Sequence, residues 1–192
     1  MLEVLRQYLL KQITLSDEEL ASIEEATTVK KLRKNQYLLQ EGDVWRYNAF
    51  VAQGVVRTYT IDDKGNEHII SFAMENWWTG DRESLLTGKP SKYNIDAVED
   101  AVILLIPKEK FTGLTKNIQP FNELVTAVVE RSFAASQQRI NVNISGDAVE
   151  KYQYFLNRYP QLALRVPQHM IASYLGITPE TLSRIRKSNA KK

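Results

Sequence analysis

Hydrophobic periodicity changes twice along the chain and divides it into three stretches. Leu2, Leu5 and Leu9 recur at helical spacing, so residues 2–11 are predicted to form a short amphipathic helix. Ser16-Asp17-Glu18-Glu19 is a capping box. The serine accepts from a free amide of the first turn while Glu19 reaches back, so a second helix is predicted over 17–26. The period then shortens. Runs rich in β-branched and aromatic residues cover 36–40, 45–51, 55–61, 67–72, 94–98 and 101–106. Glycine-bearing turn sequences separate them: Glu41-Gly42-Asp43, Gln53-Gly54, Trp78-Thr79-Gly80-Asp81 and Thr87-Gly88-Lys89-Pro90. Asp63-Lys64-Gly65-Asn66 lies between two runs as a hairpin loop. This pattern predicts an antiparallel sandwich or barrel.

After Pro107 the helical period returns. A short helix is predicted over 108–114 and a long one over 119–142. The long helix carries Phe121, Leu124, Val125, Val128, Val129 and Phe133 as a stripe at three- and four-residue spacing. A monomer would leave much of that stripe wet, so dimerisation along it is expected; the alternative is packing on the chain's own barrel. Asn143-Ile144-Ser145-Gly146-Asp147 is expected to break the helix and act as a hinge. Asp147 is placed to cap a further helix over 148–158, whose Tyr152, Phe155 and Leu156 supply a small core. Tyr159-Pro160 is expected to end it.

The C-terminal segment has the pattern of a helix-turn-helix. Ile171 and Leu175 share a face, Ala172 allows a crossing helix to come close, and Gly176 permits a left-handed stop. Thr178 can cap the second helix, and Pro179 fits its first position, where no N–H is needed. Leu182 and Ile185 bury one face. Glu180, Thr181, Ser183, Arg184 and Lys187 are left outward to reach base edges and phosphates of double-stranded DNA, with Gln168 and His169 at the start of the first helix.

Charge follows the same division. The chain is only +2 overall, but residues 161–192 hold Arg165, Arg184, Arg186, Lys187, Lys191 and Lys192 against the single acidic Glu180. Basic charge is thus concentrated where phosphate neutralisation would need it. Composition removes other classes. With no cysteine there is no disulfide, thiolate zinc site or cysteine-ligated iron–sulfur cluster. His68 and His169 lie in different segments, so no catalytic metal cluster is expected, and neither a phosphate-binding loop nor a nucleophile elbow is present. Asp81 and Glu83, two apart, are taken as surface charges rather than a catalytic pair. No secretory leader or membrane-length apolar run is evident, so a cytoplasmic protein is expected. No catalytic residue or metal ligand is assigned.

The order of barrel, long helix, hinge and helix-turn-helix resembles the cyclic-AMP receptor protein/FNR (Crp/Fnr) family of bacterial transcription regulators. The residues that carry the resemblance are Leu39-x-x-Gly42, Phe50-Val51-x-x-Gly54-x-Val56-Arg57, Gly65-x-Glu67, Trp78-Thr79-Gly80-Asp81 and Ala172-x-x-Leu175-Gly176-Ile177-Thr178-Pro179-Glu180-Thr181-x-Ser183-Arg184. The resemblance implies an α+β fold: an N-terminal antiparallel β jelly-roll barrel of the cyclic-nucleotide-binding kind, a long dimerisation helix and a C-terminal helix-turn-helix domain. The expected divisions are 1–116, 117–145 and 146–192. It further implies a homodimer on a pseudo-palindromic DNA site, a small effector in the barrel and RNA polymerase as a further partner. By position, Glu180 and Arg184 fall where family members read bases; Pro179 replaces a basic residue.

The barrel departs from the family's cyclic-nucleotide cassette. Asp81 takes the place of the ribose-binding glutamate and is one carbon shorter. Ser91 takes the place of the phosphate-binding arginine, so the two-pronged clamp is missing. Gly80, Asp81, Arg82, Ser91, Lys92 and Tyr93, with Ser136 on the long helix, are the expected effector-binding residues. The effector is expected to be a small molecule other than cyclic AMP; alternatives are a vestigial pocket, or a cupin-like barrel enzyme, for which one barrel histidine is too few. Only Gln161-Leu162-Ala163-Leu164-Arg165-Val166 precedes the reader, so the family's β-hairpin wings are expected to be reduced, leaving phosphate contacts to Lys187, Lys191 and Lys192.

Overall fold

A computed structural model describes residues 1–189, so Lys191 and Lys192 lie outside the described residues. In chain order the elements are α1 (Leu2–Gln12), α2 (Asp17–Glu25), β1 (Thr28–Leu32), β2 (Tyr37–Leu39), β3 (Tyr47–Gln53), β4 (Val56–Ile61), β5 (Glu67–Ala73), β6 (Trp78–Thr79), α3 (Arg82–Thr87), β7 (Asn94–Ala97) and β8 (Ala101–Pro107). Helices complete the chain: α4 (Lys108–Asn117), α5 (Gln119–Ser145), α6 (Ala148–Arg158), α7 (Pro160–Arg165), α8 (Gln168–Leu175) and α9 (Pro179–Asn189).

The strands form two four-stranded sheets, ordered β1-β8-β3-β6 and β2-β7-β4-β5. The capping box at Ser16 forms as expected, Ser16 accepting from the Glu19 amide at 3.2 Å while Glu19 accepts from the Ser16 amide at 2.8 Å. Strand β1 was not among the expected strands, because its central Lys30-Lys31 hides any alternation. Pairing with β8 supplies what its own pattern lacks, from Thr28 opposite Leu105 to Leu32 opposite Ala101.

Strand β8 is apolar throughout because both its faces are covered. Val102, Leu104 and Ile106 join Phe50, the N-terminal helices and α5 residues Phe121 and Leu124 in one core. The alternate residues Ala101, Ile103 and Leu105 face the second sheet, where Val56, Ile95 and Ala97 complete the other core.

The opposite face of β4 and β7 holds a buried ionic cluster. Arg57 lies opposite Asp96 in the strand register, and its guanidinium donates to both carboxylate oxygens, at 2.7 and 2.9 Å. The Tyr59 hydroxyl donates to the same carboxylate at 3.2 Å, and the guanidinium stacks 4.2 Å from the Tyr59 ring centroid. Burial, more than any other cause, pushes the Tyr59 hydroxyl pKa up, so it remains a donor.

The chain divides into two compact units: Met1–Thr60 with Ser71–Val129, and Ile61–Ile70 with Glu130–Lys192. The β4–β5 hairpin tip thus belongs to the second unit with the reader, and the division falls inside α5. That helix also runs on past the expected break, through Asn143 and Ile144 to Ser145. Gly146 ends it: its N–H closes on the Val142 carbonyl at 2.9 Å, and a Cβ there would meet the same oxygen at 2.7 Å. Among the described residues no strand follows β8, and α7 occupies the stretch before the reader. Tyr159-Pro160 does not simply end a helix, since Pro160 starts α7 at the position where its missing N–H costs nothing.

Candidate nucleic-acid interface and effector cassette

The reader is built by local rules. Asp147 caps α6 by accepting from the Val149 and Glu150 amides at 2.8 and 2.9 Å, with Glu150 returning a bond to the Asp147 amide. Tyr152 and Phe155 of α6 and Leu162 of α7 are buried, as are Ile171, Ala172, Tyr174 and Leu175 of α8 and Leu182 and Ile185 of α9. Gly176 takes φ 64° and ψ 34°, the left-handed stop. The following Ile177 amide closes back on the Ala172 carbonyl at 3.0 Å. Thr178 caps α9 by accepting from the Thr181 amide at 3.2 Å, and Pro179 begins the helix.

With Leu182 and Ile185 turned inward, Pro179, Glu180, Ser183, Arg184 and Lys187 are exposed, and Thr181 is half-buried against the Thr178 cap. His169 is exposed at the start of α8, while Gln168 is half-buried. The Glu180 carboxyl is held below the usual carboxylate range by its own helix-terminal amide, then by the Thr178 side chain and the Arg184 guanidinium one turn on. It therefore stays ionised at neutral pH and presents only acceptors, beside Arg184, which presents only donors. A buried apolar seam under an acceptor–donor pair is a surface suited to base edges, because guanine offers two acceptors to arginine and cytosine a donor to a carboxylate.

The expected effector residues behave differently. Asp81 is not a surface charge: it is buried and caps α3, accepting from the Glu83 and Ser84 amides at 2.9 and 3.2 Å. Helix α3 itself was not foreseen, because Trp78-Thr79-Gly80-Asp81 read as a turn only. Gly80 takes φ +135°, and a side chain there would clash with the Trp45 indole. Ser91 is buried in its own turn, its hydroxyl accepting from the Tyr93 amide at 3.0 Å and donating to the Tyr93 carbonyl at 3.2 Å. Lys92 is exposed with its Nζ 3.9 Å from Glu83 Oε1, a contact that solvent weakens. Arg82 is exposed, Tyr93 half-buried, and Ser136 exposed on α5. The structure thus brings the α9 residues into one accessible surface, whereas Asp81 and Ser91 hold each its own loop.

Sequence reasoning missed the Arg57–Asp96 pair, although Arg57 was part of a named motif. Its partner is 39 residues away, and only the β4–β7 register brings the two together. No group of three or more His, Cys, Asp or Glu residues that could hold a metal ion occurs among the described residues.

Comparison with known proteins matches this arrangement. Residues 29–117 match the cyclic nucleotide-binding domain family. The chain is 26% identical over 184 residues to the fumarate and nitrate reduction regulatory protein of Vibrio cholerae, covering 90% of this chain and 73% of that protein. It is 26% identical over 184 residues to regulatory protein HlyX of Actinobacillus pleuropneumoniae, covering 90% of this chain and 76% of that protein. The fold is similar to that of FixK2 from Bradyrhizobium japonicum, with a TM-score of 0.75 at 20% identity, over 86% of this chain and 85% of that one. Barrel, long helix and helix-turn-helix, together with these relatives, support a DNA-binding transcription regulator of the Crp/Fnr type.

Proposed function

We propose that the chain acts as a homodimer that binds a two-fold symmetric DNA site through α9, with Glu180 and Arg184 reading bases. The exposed Glu180–Arg184 surface over the buried Leu182–Ile185 seam carries this reading. Thr178, Thr181, Ser183 and Lys187 on and before α9, with Gln168 and His169 at the start of α8, flank it as backbone contacts, and Pro179 removes one basic contact. The dimer seam is the second half of α5. Its first half is committed to its own unit, with Phe121 and Leu124 buried, whereas Phe133, Ile140 and Ile144 are 64%, 48% and 81% exposed. Their spacing of seven and four residues is that of a helix that packs on a partner helix.

In this reading residues 1–116 sense, 117–145 dimerise and 146–192 read DNA, in the cytoplasm, with RNA polymerase as the protein partner at the promoter. The barrel responds to a small molecule other than cyclic AMP. The cap made by Asp81 and the closed turn made by Ser91 support this, since both residues are buried and Asp81 Oδ1 and the Ser91 hydroxyl are bonded within their own loops. Selection of operators from random duplex DNA, followed by titration with and without cyclic AMP, tests both parts. A two-fold symmetric site whose affinity is indifferent to cyclic AMP is the expected result. An asymmetric site would overturn the dimeric reader, and a large gain with cyclic AMP would overturn the effector reading.

A further inference from the structure

The second unit contains an unusual junction between the 61–70 hairpin and α8. Strand β5 is the last strand of its sheet, so one edge of its backbone is open. The Ser173 hydroxyl of α8 fills that edge. It donates to the Glu67 carbonyl at 2.9 Å and accepts from the Ile69 amide at 3.0 Å. A carbonyl and the amide two residues later point to the same side of a strand, and a neighbouring strand residue would satisfy both. One hydroxyl here does the work of that residue. A second tie lies beside it: the Arg139 guanidinium of α5 donates to the Ile70 carbonyl and sits 4.9 Å from the Tyr174 ring centroid.

Resting on the dimeric DNA-binding reading above, we infer that Ser173 is a positioning residue for DNA binding, docking α8 on the β5 edge so that the reader is held in one orientation. The junction adds to the chain link at Gly146 and to the Arg139–Tyr174 contact between α5 and α8. A reader free to swing must lose that freedom when two heads engage one symmetric site, and a docked reader has already lost it. Docking leaves the α9 surface open, since Glu180, Ser183, Arg184 and Lys187 remain exposed. It therefore favours engagement rather than blocking it. Ser173 itself carries no DNA contact in this scheme.

The test uses the full chain, with Ser173→Ala and Ser173→Thr, on duplexes carrying the selected full site or a single half-site, and amide hydrogen exchange at Ile69. With the hydroxyl removed, Ile69 should exchange faster and full-site affinity should fall roughly three- to tenfold, the worth of an ordinary hydrogen bond. Half-site affinity should stay unchanged, because one head needs no fixed orientation, and Ser173→Thr should restore the full-site value. Half-site binding also reports that the reader is still folded. Unchanged Ile69 exchange, unchanged or raised full-site affinity, or an equal loss on both duplexes would each overturn the role of Ser173. Failure of the unsubstituted chain to bind any duplex would instead overturn the DNA-binding reading on which it rests.

Discussion

The α9 surface and the α3 cassette of the barrel both carry family-like residues, yet their polar groups have opposite fates. On α9 the side chains at the matching positions point to solvent, with Glu180 and Arg184 one turn apart above a sealed apolar seam. In the cassette, Asp81 is 5% exposed and Ser91 3% exposed, and each is bonded to its own loop. A polar residue at a binding position has binding capacity only if a ligand can reach it from solvent. The reader meets that condition, and Asp81 and Ser91 do not.

The sharpest way to break the comparison is to disturb the barrel and leave α9 intact. Asp96→Asn strands the Arg57 guanidinium in a buried face and should cost about 3–5 kcal/mol of stability, measured by urea unfolding of the full chain. A second large effect should come from the dimer seam. Ile144→Asp places a charge in the exposed stripe of α5 and should lower full-site affinity roughly a hundredfold while yielding a monomer in sedimentation. A dimer of normal affinity would move the seam elsewhere.

Two smaller substitutions separate the cassette from the reader. Arg184→Ala should weaken specific binding by about 1–3 kcal/mol and relax one base position in repeat operator selection. Equal loss on every sequence would make it a phosphate contact. Asp81→Ala should cost about 1 kcal/mol of unfolding free energy, the value of a lost helix cap, with no change in operator affinity. Smallest of all is the pH effect of Glu180. Its carboxyl is depressed, so its favourable contacts are present above the ordinary carboxylate pKa and fade only as pH falls through the lowered value. The ratio of operator affinities for the natural chain and Glu180→Gln should therefore be the same at about pH 6 and about pH 8, well above the range where a carboxylate titrates.

Local chemistry determined much of this protein from the sequence alone. The Ser16 capping box, the Asp147 cap, the Gly176 stop, the Thr178-Pro179 start and the β-prone runs of β3, β4 and β8 each depend on residues a few positions apart, and their signals survive in one dimension. Where the long stripe of α5 divides was decided only by the tertiary structure, because its first half found a core and its second half did not. The same holds for β1, which is a strand because β8 lies beside it. Arg57 and Asp96 meet through strand register, and Ser173 meets the β5 edge across 106 residues. Such partners carry no periodicity or spacing of their own. Their contact exists only after the sheets are assembled, which is why hydrogen bonding and burial, rather than motif, decided which polar residues remain free to bind.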